Sequence, residues 1–215
     1  DWIAVDWGTS NLRAWLMSKD GVIGMVTSDK GMGALERDGF EPELLRLVGD
    51  YLPESGTVPV IACGMVGARQ GWHEAPYVTP PCAAPGVGQA VTPEVRDPRL
   101  KVRILPGVSQ ASPADVMRGE ETQIAGFLAA HPEFDGVLCL PGTHTKWVHI
   151  SAREIVSFRT FMTGEIFALL SGQSVLRHSV AGDGWDQAAF DEAVTDAMSA
   201  PQKFTARLFS LRAGS

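Results

Sequence analysis

Apolar and polar residues alternate from the first positions of the chain. Residues 2–7 (WIAVDW), 11–18 (NLRAWLMS) and 22–28 (VIGMVTS) all carry the period-two pattern of strands. Asp20-Gly21 joins the last two, and Asp-Gly between alternating runs is a strong hairpin signal. The chain is therefore expected to open as an antiparallel meander. Leu44, Leu45, Leu47, Val48 and Leu52 recur at helical spacing behind Pro42, predicting a helix over about 41–52. VPVIACGM (58–65) is a short unbroken apolar run, as in a buried parallel strand. Residues 76–98, rich in Pro, Gly and Ala, read as an extended excursion, and KVRIL (101–105) as a strand. Ser112-Pro113-Ala114-Asp115 has the order of a helix start: cap, N1 proline, N3 acid. It predicts a helix running to about His131, with Gly119 as its weak point. Strands follow at 136–140 (GVLCL) and 154–162 (EIVSFRTFM), and helices at about 165–176, 186–199 and 202–212.

The pattern repeats. DWGTSNLRAWL (6–16) and LPGTHTKWVHI (140–150) each place a Gly-Thr turn between two strand-like runs. Another strand and a helix follow each copy, and such a repeat outranks local signals in fixing architecture. Glycine lets a backbone approach a ligand closely, and consecutive N–H groups form an anion-binding concavity. The two turns thus read as two jaws for a phosphate, through Gly8, Thr9 and Ser10 in one and Gly142, Thr143, His144 and Thr145 in the other. A plain hairpin accounts for either turn alone, but less well for both in register. Lys146 either adds a charge there or points to solvent. Asp6, at a strand end, could hold Mg2+ through water, as magnesium uses few carboxylates and keeps its waters beside phosphates. In register with Asp6 the second copy has Leu140, so only one jaw carries such an acid.

Two further stretches carry chemistry. Glu120 and Glu121 follow Gly119 and precede Ile124, Phe127 and Leu128 on one helix face. Both acids could simply complement a helix N-terminus, or one could take a proton from a substrate hydroxyl. CGMVGARQGWHEAPY (63–77) lies beyond the carboxyl end of a strand, where α/β sheets bind ligands. Gly64, Arg69, Trp72, Glu74 and Tyr77 are its candidate substrate contacts, against the plainer reading of an irregular surface loop. Arg13, Arg69 and Arg118 all suit a substrate carboxylate. No HxxxH or Cys/His cluster supports metal binding by His144, and His149 and His178 read as structural or surface residues.

With 215 residues and 45% apolar content, one or two domains with full cores are expected. A net charge of −7 argues against nucleic acid as partner but leaves room for a small anionic substrate. Cys63, Cys82 and Cys139 show no CxxC spacing and are expected to be reduced, with Cys63 and Cys139 buried in apolar runs. No apolar run of about 18 residues and no signal-peptide pattern occurs. A soluble cytoplasmic protein is expected, without a membrane partner and with a start trimmed ahead of Asp1. There is neither a GxSxG elbow nor a GxxxxGK[ST] loop.

DWGTSNLRAW, MRGEETQ (117–123) and LPGTHTKWV (140–148), in that order, resemble the 2-dehydro-3-deoxygalactonokinase family. CGMVGARQGWHEAPYV (63–78) and FMTGEIFALL (161–170) fit it as well, so the resemblance runs over essentially the whole chain. It implies an α/β protein of the ribonuclease-H-like, actin-like ATPase fold: two similar domains containing β-β-β-α units with a cleft between. Residues 1–135 would form the first domain and 136–215 the start of the second, apparently incomplete. The implied reaction is ATP-dependent, Mg2+-assisted phosphorylation of 2-dehydro-3-deoxy-D-galactonate at its 6-hydroxyl in galactonate catabolism, the product passing to an aldolase. Asp6, Gly8 and Thr9 match the first phosphate motif of this superfamily, and Gly142, Thr143 and Thr145 the second. Glu121 with Thr122 falls where related sugar kinases carry an acid-then-hydroxyl pair, which favours Glu121 over Glu120 as base. Family chains are longer, so elements enclosing adenine would lie beyond Ser215, and weak or absent ATP binding is expected of residues 1–215. An exopolyphosphatase-like phosphohydrolase and a non-catalytic ligand sensor are the alternatives. The expected partner is a small sugar acid, and a homodimer is allowed.

Overall fold

The computed structural model describes residues 1–180 and 184–213. The opening meander forms as the pattern predicts: β1 (Trp2–Trp7), β2 (Leu12–Ser18) and β3 (Gly21–Ser28) pair antiparallel, with Asp6 opposite Arg13. After α1 (Phe40–Val48) and a further turn at Gly49–Tyr51, β4 (Val58–Gly64) lies parallel to β1 and sets Cys63 beside Asp6. The 76–98 excursion holds only the short strand β5 (Cys82–Ala83) and one helical turn, and β6 (Leu100–Ile104) then joins β4 in parallel. The first sheet has the order β3-β2-β1-β4-β6.

Alternation decides what each face of this sheet does. Ile3, Val5 and Trp7, with Leu12, Ala14, Leu16, Val60 and Ala62, form a core with Phe40, Leu44 and Val48 of α1. Successive strand residues point to opposite faces, so Asp6 and Arg13 emerge away from that core. Trp72 is part of the core: it stacks on Phe40 at 6.2 Å between ring centroids and meets the edge of Trp7 at 6.3 Å.

The helix expected from Ser112 does not form there. β7 (Val108–Ala111) and β8 (Ala114–Met117) make a hairpin with Ser112-Pro113 at its tip, and α2 (Glu120–Ala130) begins only after Gly119. The second sheet follows as β9 (Gly136–Leu140), β10 (Thr145–Ser151) and β11 (Glu154–Phe161), in the order β5-β11-β10-β9. Tertiary partners explain the hairpin. Gln110 exchanges hydrogen bonds with the Phe158 backbone at 2.8 and 3.0 Å. Asp115, expected to serve a helix N-terminus, instead accepts from the Thr160 N–H and hydroxyl at 2.7 and 2.6 Å. These long-range bonds to β11 outweigh the local capping order. The second core places Ile124 and Leu128 of α2 on Val148, Ile150, Ile155 and Phe158.

Helices α3 (Thr163–Gln173), α4 (Gln187–Ser199) and α5 (Phe204–Ala213) complete the described chain. They leave Phe167, Trp185, Met198 and Phe209 largely exposed. The chain divides into two compact units: Asp1–Leu140 with Lys146–Thr160, and Pro141–Thr145 with the described residues from Phe161 onward. The expected domain boundary at 135/136 falls between α2 and β9. All three cysteines are free, and Cys139, expected to be buried, is exposed, because it sits at an outward position of β9. Among the described residues, no helix is long and apolar enough to cross a membrane.

One buried charge ties β3 to α1. Glu43 accepts from Ser28 Oγ at 2.6 Å and Arg46 Nη2 at 2.6 Å, with Lys30 Nζ at 3.4 Å. The hydrogen bond from Arg46, helped by Ser28 and opposed by burial, holds the carboxyl down at about 2. A depressed folded value stabilises fully above the unfolded 4.5 and is lost as pH falls from 4.5 towards about 2. Glu43→Gln is expected to cost about 1–3 kcal/mol at pH 7 in denaturant unfolding. The difference from wild type should shrink below pH 4.5; a deficit that stays constant into acid would contradict this account.

Candidate active site

The parallel strands β1 and β4 end together, and ligands in α/β sheets bind beyond such ends. Asp6 lies there with its side chain 28% exposed, and its Oδ2 accepts from Arg13 Nη2 at 2.6 Å. This ion pair is set by register, since the two residues are direct cross-strand partners. The Arg13 guanidinium also lies over the Trp15 ring, 5.9 Å from its centroid. Asp6, Arg13, Trp15, Cys63, Gly119 and Thr122 line part of a cavity of about 390 Å3.

Two glycines make this junction. Gly64 closes β4 at φ +93°, and Gly119 precedes α2 at φ +111°, conformations that L side chains rarely adopt. A Cβ on Gly64 would lie 2.7 Å from the Trp7 carbonyl oxygen, and one on Gly119 would lie 3.4 Å from Gly64 Cα. The first turn of α2 therefore sits against the end of β4.

That turn carries the two acids. Glu121 is fully buried, and both carboxylate oxygens accept the Gly119 N–H at 2.8 Å. Burial pushes its carboxyl up to about 7, against backbone hydrogen bonds that pull it down; the Glu120 charge adds to the rise. Glu120 is partly exposed and accepts the Arg118 N–H at 3.0 Å. Its other oxygen lies 3.6 Å from Lys146 Nζ. Lys146, whose direction the sequence left open, is thus turned inward and is only 4% exposed. Next to Glu121, the Thr122 hydroxyl is buried with no hydrogen-bond partner of ordinary geometry among the described residues. Burial, with the Asp6 charge second, pushes the Cys63 thiol up to about 12, so it stays protonated.

The first glycine turn is closed by Gly8 N–H to the Asn11 carbonyl at 2.9 Å. The N–H groups of Met32 and Gly33 then hold the Gly8 and Thr9 carbonyls, each at 2.9 Å. Thr9 and Ser10 are exposed. The second turn is braced alike, by the Glu165 N–H on the Thr143 carbonyl at 3.0 Å. Gly142, Thr143 and His144 are exposed there. His144 Nε2 pairs with Glu165, and the buried Thr145 hydroxyl pairs with that of Thr163.

The remaining candidates separate into groups. Arg118 lies 4.2 Å over the Tyr77 ring and donates from Nη2 to the Ala75 carbonyl at 2.8 Å. Its Nε and Nη1 are buried without a hydrogen-bond partner among the described residues. Arg69 and Glu74 are exposed and do not line the cavity beside Asp6. Trp72, spent on core packing, and His73 line a separate cavity of about 320 Å3 with Arg37, Glu41 and Arg96. Cys63 and Glu165 were not foreseen as site neighbours. Cys63 is placed by parallel register with Asp6, and Glu165 by the return of α3 to the second turn. Neither relation leaves a local signal in the sequence.

Among the described residues, no group of three or more His, Cys, Asp or Glu could hold a metal ion. The single carboxylate of Asp6 suits a hydrated magnesium carried mainly by phosphate oxygens, and does not suit a protein cage.

Known proteins resemble this chain over most of its length. Residues 6–215 match the family model described as 2-keto-3-deoxy-galactonokinase. DgoK1 of Rhizobium meliloti (strain 1021), named as a probable 2-dehydro-3-deoxygalactonokinase, is 41% identical over 98% of this chain and 70% of its own length. The 2-dehydro-3-deoxygalactonokinase of Escherichia coli (strain K12) is 39% identical over 85% of this chain and 59% of its own. A crystal structure from Sinorhizobium meliloti, assigned to the same kinases, superposes with a TM-score of 0.89 at 40% identity, covering 100% of this chain and 72% of that one. This chain therefore belongs to the 2-keto-3-deoxy-galactonokinase family of sugar-acid kinases.

Proposed function

We propose that this chain supplies the proton-accepting and phosphate-gripping residues for transfer of the ATP γ-phosphoryl group to the 6-hydroxyl of 2-dehydro-3-deoxy-D-galactonate. The observation that carries this reading is Glu121: a fully buried carboxyl at about 7, on a helix start packed against the end of β4, the parallel neighbour of the strand that bears Asp6. A general base works best when its pKa lies near the operating pH. One Gly119 N–H is shared by both Glu121 oxygens, so each keeps lone-pair capacity for a second donor. The sugar hydroxyl gives its proton to Glu121 as its oxygen bonds to the γ-phosphorus and the bond to the ADP oxygen breaks. The Thr122 hydroxyl, beside Cys63 in the lining of the cavity next to Asp6, offers a hydrogen bond to that ligand.

Positioning and charge stabilisation carry most of a phosphoryl transfer. The Gly8–Ser10 and Gly142–Thr143 turns supply backbone N–H and hydroxyl donors to phosphate oxygens. Asp6 would hold Mg2+ through water, and bound magnesium supplies charge neutralisation on the phosphates. Arg13 and Arg118 are the guanidinium groups adjoining this region and suit the sugar-acid carboxylate. The family match favours a sugar hydroxyl over water as acceptor, and so favours the kinase over the phosphohydrolase and sensor readings.

Full-length Glu121→Gln is expected to lose about 10²–10⁴-fold in kcat in a coupled kinase assay, with KM for ATP little changed. Near-wild-type turnover would place the base elsewhere. Stability gives an independent check. A carboxyl raised from 4.5 to about 7 on folding loses stability as pH rises through that window. Glu121→Gln should therefore gain Tm relative to wild type between pH 5 and pH 8. For Asp6→Asn, the Mg2+ concentration giving half-maximal nucleotide binding, read by calorimetry, should rise about tenfold or more. An unchanged magnesium dependence would remove Asp6 from that role.

A further inference from the structure

The strand pairs that flank the two glycine turns differ in how they treat a cation. In the first copy, Asp6 and Arg13 are cross-strand partners and pair with each other. In the second, the cross-strand partner of Lys146 is Leu140, so the cation has no acid opposite it. Lys146 is nevertheless buried, on the strand that leaves the second phosphate turn. A buried ammonium needs an anion, and among the described residues its ion-pair partner is Glu120, 3.6 Å away on the first turn of α2. Glu120 is also bound through its other oxygen to the Arg118 N–H. One carboxylate thus joins β10, the segment before α2, and the first turn of the helix.

We propose that Lys146 is a positioning residue for the base: held on β10, it clamps and neutralises Glu120, and so fixes the turn that presents Glu121. This rests on Glu121 being the base. The charged and titratable groups around Glu121 are Glu120 and Arg118 on its own segment, Cys63 from β4 and, through Glu120, Lys146 from β10. Glu120 is the anion whose charge raises the Glu121 carboxyl, and Arg118 lowers it. Without the ammonium, Glu120 stands uncompensated beside the base and pushes its ionisation to higher pH. Lys146 thereby tunes the base without touching substrate.

The test is the pH profile of kcat/KM for the full-length kinase. In Lys146→Met the acid limb should move up by about one pH unit, so that activity below the limb falls about tenfold and much of it returns at higher pH. KM for the sugar acid should change little. Lys146→Arg should restore most of the wild-type limb. Glu120→Gln alone leaves the cation unopposed and should move the limb to lower pH, and the double variant should return close to wild type. An unmoved limb in Lys146→Met, or a uniform loss at every pH that Glu120→Gln does not relieve, overturns the proposal. Should Lys146→Met fail to fold, an unmoved limb in Glu120→Gln overturns it equally. Loss of turnover in Glu121→Gln with an unmoved limb in Lys146→Met refutes this inference alone. Retained turnover in Glu121→Gln refutes the base assignment and this inference with it.

Discussion

The close approach of Gly64 and Gly119 is the constraint on which the site depends. Two backbones meet here, each at a positive φ that L side chains rarely adopt, and a Cβ on Gly64 would also strike the Trp7 carbonyl. One ends the central parallel strand and the other starts the helix with the acids. Because the contact is backbone on backbone, it admits little slack. The body of the helix is held by Ile124 and Leu128 in the second core. Burial of Glu121 follows from this packing. Its raised carboxyl is thus a consequence of how two segments close.

The same junction explains why the acids differ. Adjacent helix residues point about 100° apart, so one of a pair can be buried while its neighbour reaches a different surface. Glu121 turns into the interior and bonds the Gly119 N–H, while Glu120 remains partly exposed beside Lys146. Two neighbouring carboxylates in unlike surroundings are a common basis for dividing roles in proton transfer. The two glycine turns show a comparable economy. Each is braced by backbone N–H groups from the segment after its third strand, Met32 and Gly33 in one case and Glu165 in the other. Their carbonyls are thus occupied, while Thr9, Ser10 and Thr143 remain exposed.

Much of this was legible in the residues. The meander, the parallel strand at 58–64, the second sheet and the helices from 163 onward followed from period and turn chemistry, within a few residues. The repeat located both turns, and the quoted motifs led to the family that the comparisons bear out. What failed was long-range. Ser112-Pro113 reads as a helix start locally, yet Gln110 and Asp115 find better partners on β11. Trp72, read as a ligand contact in a glycine-rich loop, lines a cavity of about 320 Å3, and its packing with Trp7 and Phe40 was the part not legible locally. Cys139 looked buried in an apolar run, but its sheet position points outward. The inward turn of Lys146 could not be read from its own strand, because its partner lies on α2.

The central claim is that packing at the Gly64–Gly119 junction holds the Glu121 carboxyl protonated into the neutral range. Infrared difference spectroscopy across a pH titration of the full-length protein, with Glu121→Gln as reference, measures this directly. The account predicts a buried carboxylic acid C=O band that disappears with a midpoint at about 7 and is missing from the variant. A midpoint near the ordinary value of 4.5, or a neutral-range band that survives in Glu121→Gln, would contradict it.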